Sequence, residues 1–216
     1  MKEYPKIETL LDRDEKTFKV IPGKWRTPEF EYLATNLWTF TEKVDGTNIR
    51  VMWNGRTVGL LGHPVLTFGG KTNDAQIPPF LLKRLGELFA AELMVKTFPD
   101  SIGSIICLYG EGYGARIQKG GGLYKSDGVD FVLFDVWIDG WWLERKNVED
   151  VASKLDVKCV PIVREGTLLD AIRIVQSGFT STWGDFKAEG LVVFPKTMLF
   201  TRKGARVIGK IKTKDF

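Results

Sequence analysis

The sequence predicts an α+β fold in which mainly antiparallel sheets are flanked by helices. Strand-like segments are joined by short turns, of which Asn54-Gly55 and Asp139-Gly140 are typical of β-hairpins. The helical patterns come in separate blocks and do not follow every strand. This order favours antiparallel sheets with inserted helices over the regular strand–helix alternation of a doubly wound fold.

The strands are predicted from β-branched and apolar runs that stop at turn residues. Residues 1–37 precede them and contain several residues that break regular structure, which predicts an irregular lead-in. These breakers are Pro5, Pro22, Gly23 and Pro28. The predicted strands then cover residues 48–53, 57–61, 104–110, 129–137, 189–194 and 206–212, with residues 141–143 as a hairpin partner.

The helices are predicted from apolar residues at helical spacing. The longest covers residues 80–96 and begins after Pro78-Pro79, since proline suits the first turn of a helix. Its apolar side carries Leu81, Leu85, Leu88 and Leu93. Two shorter helices are predicted at residues 147–155 and 168–176, the second stopping at Gly178. Residues 120–122 are consecutive glycines and predict a flexible loop.

The composition, with 44% hydrophobic and 27% charged residues, predicts a single globular domain over residues 1–216 as the default, although two small domains are possible at this length. No apolar run reaches the ~18 residues that predict a membrane span. The N-terminus lacks the apolar core of a signal peptide. Cys107 and Cys159 lie in apolar contexts and are interpreted as reduced thiols of a cytoplasmic protein. The net charge of +4 suits a nucleotide or nucleic-acid partner.

Several common sites are excluded by their spacing rules. The glycines at 110, 112 and 114 lack the third glycine position of a dinucleotide-binding motif, and no helix pattern follows them. No P-loop motif occurs. Two cysteines and one histidine cannot form a structural zinc site. That histidine, His63, lies in a Gly-His-Pro turn and is interpreted as a surface residue.

Three separated segments carry the chemistry. Lys43 stands just before a tight Asp45-Gly46 turn and is a candidate nucleophile, provided that burial or neighbouring cations remove its proton. Glu189 leads into an apolar strand and is a candidate metal ligand. Lys210 and Lys212 share one face of a strand, where two ammonium groups suit a phosphate. In this order, the segments indicate an enzyme that attaches a nucleotide to its own lysine.

The same segments resemble the motifs of the covalent nucleotidyltransferases, which include ATP-dependent DNA ligases, RNA ligases and GTP-using capping enzymes. Lys43-Val44-Asp45-Gly46 resembles the nucleophile motif of that superfamily. Four later segments of this chain resemble the later motifs of the superfamily and occur in the same order. They are Tyr109-Gly110-Glu111-Gly112, Phe131-Val132-Leu133-Phe134-Asp135-Val136, Glu189-Gly190-Leu191-Val192-Val193 and Lys210-Ile211-Lys212.

Finer features resemble RNA ligases. Thr47-Asn48 follows the nucleophile motif, and residues 69–78 and 110–120 are similar to the RNA-ligase-domain proteins of phages and bacteria, including nick-sealing RNA ligases. Lys71 departs from this pattern, because the family usually has arginine there and lysine cannot make a bidentate phosphate contact. The sequence ends shortly after Lys212, so no OB-fold or other C-terminal domain is expected.

The resemblance implies an ATP-grasp-like DNA/RNA ligase catalytic domain and an ATP-dependent RNA ligase for RNA repair. Lys43 would carry AMP, Glu189 would bind magnesium or manganese, and Arg116 and Lys119 would contact the nucleic acid. The residues implied to contact the nucleotide are Glu42, Lys43, Asn48, Arg50, Lys71, Glu111 (ribose), Phe131 (adenine, with Phe134 as the alternative), Glu189, Lys210 and Lys212 (α-phosphate).

Other interpretations stay open on the sequence alone. The same site could seal DNA or mixed RNA–DNA nicks, and a requirement for 2′-hydroxyl groups would separate these cases. A GTP-dependent capping-type transfer would be separated by nucleotide preference. A non-catalytic binding module with a decayed site is disfavoured, because Lys43 and Glu189 are both retained. The expected partners are RNA ends, with a separate end-healing enzyme or a clamp protein.

Overall fold

The computed structural model describes residues 2–56 and 65–216, and these form two compact units. Unit 1 comprises Met1–Tyr4 and Asp45–Cys159, and unit 2 comprises Pro5–Val44 and Val160–Phe216. Each unit is therefore built from separate stretches of chain. The prediction of a single domain over residues 1–216 stays a prediction, since this division does not test it.

The described residues form strands and helices in alternating blocks. The strands are β1 (Glu8–Thr9), β2 (Leu11–Arg13), β3 (Val20–Trp25), β4 (Trp38–Glu42), β5 (Thr47–Trp53), β6 (Leu66–Gly69), β7 (Ile106–Gly114), β8 (Val129–Ile138), β9 (Trp141–Trp142), β10 (Lys158–Cys159), β11 (Ile162–Gly166), β12 (Gly190–Pro195) and β13 (Gly209–Lys212). The α-helices are α1 (Pro28–Tyr32), α2 (Pro79–Leu88), α3 (Ala91–Thr97), α4 (Gly121–Tyr124), α5 (Arg145–Lys154) and α6 (Leu168–Ser177). Short 3-10 turns cover Pro99–Ser101 and Thr213–Asp215.

Unit 2 is organised by a sheet of five described strands in the order β1-β13-β12-β4-β11. The β1–β13 pair is parallel, and the other neighbours are antiparallel. Every residue of β4 is buried, because the strand lies between β12 and β11 and its apolar residues belong to the core of the unit. The core includes Trp38, Phe40, Leu168, Leu191 and Ile211. Strands β2 and β3 pair separately.

Unit 1 is organised by a second sheet of described strands in the order β10-β8-β7-β5-β6, to which β9 adds beside β8. Neighbouring strands are antiparallel except for the parallel β10–β8 pair. Helix α2 packs on this sheet through Leu81 and Leu85, which are fully buried. The core of the unit also contains Ile49, Val51, Met94 and Phe131.

The α+β class with antiparallel sheets and flanking helices is confirmed. The strand predicted at 48–53 is β5, and the Asp139-Gly140 turn joins β8 to β9 with positive φ at both residues. The predicted shorter helices correspond to α5 and α6, and Gly178 ends α6 with φ of 73°. The predicted strand 57–61 and His63 lie outside the described residues. Among the described residues, β5 pairs with β7 on one side and with β6 on the other.

The long helix predicted at 80–96 is wrong, because the chain forms α2 and α3 with a break between them. Phe89 and Ala90 have extended backbone angles. This break places the Phe89 ring in the core, where its edge meets Phe131 at a centroid distance of 5.3 Å. Residues 120–122 also differ from the predicted loop, because Gly121 begins the short helix α4. Within residues 2–37, short strands and α1 replace the irregular lead-in.

The cysteines have free thiols, with Cys107 buried and Cys159 half-buried. Burial raises the pKa of the Cys107 thiol, so this group stays protonated and unreactive at neutral pH. Among residues 2–56 and 65–216, no helix is both long enough and apolar enough to cross a membrane.

Tyr4 packs against the later part of unit 1 and holds the beginning of the chain in place. Its ring packs against Tyr109, Phe134 and Trp142 at centroid distances of 5.0, 5.1 and 5.6 Å. Its hydroxyl donates a hydrogen bond of 2.7 Å to Asp135, whose side chain is buried. Because a buried carboxylate depends on its donors, this bond contributes to the stability of the unit.

We expect Tyr4→Phe to lower the free energy of unfolding by about 1–3 kcal/mol, since it removes a donor from a buried charge but keeps the ring. Urea unfolding of the purified variant measures this value. Tyr32→Phe is the matched control, because Tyr32 is 86% exposed. Equal unfolding free energies for the two variants would show that the Tyr4–Asp135 bond contributes nothing.

Candidate active site

Two lysines meet one carboxylate at the edge of the unit 2 sheet. The Lys43 Nζ lies 2.7 Å from Oε2 of Glu189, and the Lys212 Nζ lies 2.6 Å from Oε1 of the same carboxylate. All three side chains are half-buried. Each carboxylate oxygen therefore has its own ammonium partner, and the predicted nucleophile, metal ligand and one phosphate-binding lysine form a continuous cluster.

The strand register explains how distant residues come together. Lys43 directly follows β4, Glu189 directly precedes β12, and Lys212 is the last residue of β13. These strands are neighbours, and Gly190 pairs with Lys212 across the β12–β13 ladder. The Lys43 amide donates to the Gly190 carbonyl at 2.9 Å, which extends the β4–β12 ladder by one residue. The cluster is thus fixed by backbone hydrogen bonds.

The same register places the third lysine on the face of the sheet that carries this cluster. Val192 is paired with Thr41 on one side and with Lys210 on the other. Because side chains alternate between the two faces of a strand, Lys210, Lys212 and Lys43 lie on one face. Leu191 and Ile211 face the opposite way, into the core. This agrees with the period-two spacing expected for the Lys210–Lys212 pair.

Glu42 is buried beneath this edge, with only 1% of its surface exposed. Its carboxylate accepts hydrogen bonds from the Ser181 hydroxyl (2.5 Å), the Thr182 amide (2.8 Å) and the Thr182 hydroxyl (2.7 Å). The carboxylate is therefore engaged with protein donors, and it holds the strand end that precedes Lys43. Ser181 and Thr182 are not predicted as site residues from the sequence, although adjacent hydroxyl residues after the α6 stop at Gly178 are a weak signal.

Asp215 holds the end of β13 with a buried carboxylate, as Glu42 holds the end of β4. Its carboxylate accepts from the Lys212 amide at 2.9 Å and from the Arg13 guanidinium at 2.5 Å. Asp215 is 2% exposed, so the ion pair with Arg13 supplies the counter-charge that a buried carboxylate requires. These bonds fix the backbone of Lys212. The pair of Arg13 and Asp215 is not predictable from local sequence patterns, because the two residues lie far apart in the chain.

The cluster carries a net positive charge. Around Glu189 the ammonium groups of Lys43 and Lys212 contribute two positive charges against one carboxylate, which favours an anionic ligand with several oxygens. Within the described ranges, no group of three or more His, Cys, Asp or Glu side chains is placed to hold a metal ion. A divalent cation at Glu189 would therefore need further oxygens from phosphate groups and water, which is the usual binding mode of magnesium.

In unit 1, Glu111 lies beside the turn that follows the nucleophile segment. Asn48 of β5 is paired with Glu111 of β7. A Cβ on Gly46 would lie 2.3 Å from the Gly112 carbonyl oxygen and 2.6 Å from Cγ of Glu111. Only glycine fits at 46, because any larger residue would push this turn away from Glu111. The turn is also held by Tyr124, whose hydroxyl accepts from the Asp45 amide at 3.2 Å.

Arg50 has a different position from the one expected for a nucleotide-binding residue. It is fully buried, and its guanidinium donates to the Gly70 carbonyl at 2.6 Å and to the Asn73 side chain at 3.1 Å. Arg50 therefore organises the turn that carries Lys71. Lys71 itself is exposed. Contact of Arg50 with a bound nucleotide stays a prediction, and it would require these hydrogen bonds to rearrange.

Phe131 is a core residue in this structure. Its exposed fraction is 1%, and it packs against Phe89 and beneath Gly110, where an added Cβ would lie 2.2 Å from the ring. A base can stack only on a ring face that it can reach, so stacking of Phe131 on adenine stays a prediction that requires the ring to become uncovered. Phe134, the alternative, is half-buried against Tyr4.

The predicted site residues thus fall into two sets. Unit 2 contains Glu42, Lys43, Glu189, Lys210 and Lys212, which gather at one sheet edge. Unit 1 contains Asn48, Arg50, Lys71, Glu111, Arg116, Lys119 and Phe131. Within unit 1, Asn48 and Glu111 are neighbours, whereas Arg116 and Lys119 are exposed on the segment between β7 and α4.

Comparison of this chain with known proteins identifies a matching family and similar solved structures. The sequence model of the RNA ligase family matches residues 36–212. No curated protein sequence matches the chain. Among solved structures, a Naegleria gruberi RNA ligase with pyrophosphate matches with a TM-score of 0.62 and 22% identity, over 99% of this chain and 63% of that chain.

Two further structures of that ligase agree. A lysine-to-alanine variant with ATP and manganese has a TM-score of 0.62 and 20% identity, covering 99% of this chain and 63% of that chain. A lysine-to-methionine variant with AMP and manganese has a TM-score of 0.61 and 20% identity, covering 97% and 62%. The chain therefore spans less than two thirds of the length of these structures, and at this identity they establish a shared fold.

Gly190 is the residue that allows Glu189 to reach Lys212. A Cβ at this position would lie 2.1 Å from the Ile211 carbonyl oxygen and 2.7 Å from the Lys212 Cα. We expect Gly190→Ala to lower the free energy of unfolding by about 3 kcal/mol, because the added methyl group forces two paired strands apart. Urea unfolding measures this change.

Gly86→Ala is the matched control for that experiment. Gly86 lies in α2, where an added Cβ meets nothing within 4 Å. This substitution should raise stability by about 0.5–1 kcal/mol, since alanine is the better helix residue. If both variants change stability in the same direction by similar amounts, the close approach at Gly190 is not a constraint.

Proposed function

This chain belongs to the RNA ligase family, and from that membership we propose that it is an ATP-dependent RNA ligase acting through a covalent lysyl-AMP intermediate. The observation that carries the proposal is the cluster in which Lys43 and Lys212 share the carboxylate of Glu189. A half-buried lysine among further cations is the arrangement that a nucleophilic amine needs beside a phosphate.

In the first step, Lys43 attacks the α-phosphorus of ATP. A nitrogen–phosphorus bond forms and the bond to pyrophosphate breaks. The lysine can attack only as the neutral amine, yet here its Nζ donates to Glu189. A divalent cation bound at Glu189 would compete with the Lys43 ammonium group for this carboxylate. Glu189 would therefore take part both in metal binding and in release of the nucleophile.

Lys210 and Lys212 stabilise the charge that develops on the α-phosphate. They lie on the face of the sheet that carries Lys43, so their ammonium groups can reach the oxygens of a phosphate bound there. Bound magnesium or manganese would supply further positive charge to these oxygens. Glu111 and Asn48 are proposed to contact the ribose, and Lys71 the phosphates. The ligases with the same fold were solved with ATP, AMP and manganese, which supports these ligands.

In the later steps, AMP passes from Lys43 to the 5′-phosphate of an RNA strand, and a 3′-hydroxyl attacks with release of AMP. RNA ends are thus the proposed substrate. A separate end-healing enzyme or a clamp partner belongs to the same proposal, as does a cytoplasmic location. The latter is supported by the free thiols of Cys107 and Cys159.

We expect Lys43→Ala to abolish self-adenylylation, because it removes the attacking amine, while Glu189 keeps its pair with Lys212 and the fold survives. Incubation with magnesium and α-labelled ATP, followed by denaturing electrophoresis and intact mass, measures the adduct. Lys203→Ala is the control, since Lys203 is an exposed lysine. Label on the Lys43→Ala protein would refute the assignment, and a GMP adduct on the wild type would indicate capping-type transfer.

Glu189→Gln tests the carboxylate separately from the nucleophile. The substitution keeps the size of the side chain but removes the negative charge shared by Lys43 and Lys212. We expect self-adenylylation to slow on the order of 10²-fold, with a higher magnesium requirement. A magnesium titration of the adenylylation rate measures both effects. An unchanged rate with an unchanged magnesium midpoint would contradict the role of Glu189.

A further inference from the structure

An aromatic ring and a guanidinium group are presented together on the surface of unit 1. Phe80, in the first turn of α2, is 38% exposed. The Arg116 guanidinium carbon lies 5.7 Å from the centre of the Phe80 ring, within the range of a cation–π contact. Arg116 is itself exposed. The pair forms a partly apolar, positively charged surface that no step described above uses.

The backbone that carries Arg116 is held in an unfavourable conformation. Arg116 and Gln118 have φ values of 68° and 54°, in the left-handed region that costs a residue with a side chain about 1–2 kcal/mol. Between them, Ile117 is 3% exposed and belongs to the core of the unit. The Ile117 anchor and this strained turn together direct the flanking polar residues outwards. Strain of this kind is typical of functional segments.

The charges around the pair are those of an anion-binding surface. Lys83 lies one helical turn after Phe80, and Lys119 lies three residues after Arg116; both are exposed. Among the described residues, Arg116, Lys83 and Lys119 take part in none of the ion pairs. Two acidic residues of this region are already paired: Asp130 with Arg84 at 3.2 Å and Lys125 at 3.5 Å, and Glu87 with Arg84 at 3.5 Å. A third, Asp45, lies close to Gly120.

These features match one ligand chemistry. A single-stranded nucleic acid offers flat bases for an aromatic ring and phosphates for lysines, and such binding combines stacking with cationic contacts. An acidic peptide would use the cations but not the partly exposed aromatic ring. Resting on the function proposed above, we infer that Phe80 and Arg116 are a stacking platform for an unpaired base of the RNA substrate, with Lys83 and Lys119 contacting the neighbouring phosphates.

The platform segment also contacts the turn after the nucleophile. The chain continues from Lys119 into α4, where the Tyr124 hydroxyl accepts from the Asp45 amide. Gly120 lies close to the same residue, since an added Cβ would stand 3.0 Å from the Asp45 carboxylate. Asp45 is two residues after Lys43 in sequence. The segment that presents the platform is thus packed against the peptide that leads away from the attacking lysine.

The test is binding of a fluorescein-labelled single-stranded RNA, followed by anisotropy at low salt. Phe80→Ala should weaken binding about 5-fold to 100-fold, the value of one base–aromatic stack. Phe80→Trp should restore it. Arg116→Asn removes the guanidinium group, and asparagine tolerates the left-handed backbone at this position. Lys119→Ala should lower the slope of log affinity against log salt by about 0.7. Thermal unfolding confirms that each variant is folded.

Matched controls isolate the stacking contribution. Tyr32→Ala removes an aromatic ring that is 86% exposed on unit 2, and it should leave RNA binding unchanged. An RNA of the same length without bases should bind the wild type and Phe80→Ala equally, because it has phosphates but nothing to stack. Polyglutamate, which offers charge alone, should distinguish wild type from Lys119→Ala but not from Phe80→Ala.

Binding of Phe80→Ala and Arg116→Asn within twofold of wild type would overturn the platform, and so would an equal loss for the RNA without bases. Failure of the wild type to bind single-stranded RNA would do the same. These outcomes are distinct from failure of the proposed function, which shows as the absence of an AMP adduct on the wild-type protein while RNA binding still depends on Phe80.

Discussion

The carboxylate of Glu189 is the group on which the rest of the site depends. It lies between the ammonium groups of Lys43 and Lys212, with one on each oxygen. Like charges held at the ends of neighbouring strands repel each other, and the shared carboxylate offsets this repulsion. The sheet can therefore concentrate positive charge in a small space. A ligand with several phosphate oxygens can take over the same ammonium groups, so the ion pairs keep the site assembled for an anion.

A second layer of buried carboxylates holds the backbone from which these side chains project. Glu42 is satisfied by hydroxyl and amide donors from Ser181 and Thr182, and Asp215 is satisfied by Arg13 and the Lys212 amide. A buried charge is tolerated only when it is fully hydrogen-bonded. Because these residues fix the strand ends, Lys43 and Lys212 can stay half-buried, where a ligand can reach them.

The sequence predicted those parts of the molecule that local patterns determine. The Asp139-Gly140 hairpin, the helix stop at Gly178 and the shared face of Lys210 and Lys212 all follow from turn chemistry and strand period. The break at Phe89 could not be predicted, because it depends on packing against Phe131 in a distant strand. The Ser181 and Asp215 contacts were missed for the same reason, since their partners lie over a hundred residues away.

Two glycines stand close in sequence to the predicted site residues. Glu189 is followed by Gly190, and a Cβ there would collide with the Ile211 carbonyl of the paired strand. Gly46 follows Asp45, and a Cβ there would collide with the Gly112 carbonyl. In both cases a predicted site residue, Glu189 or Lys43, stands within three residues of a close backbone approach that only glycine permits. The spacing of the motifs is therefore a packing constraint as much as a chemical one.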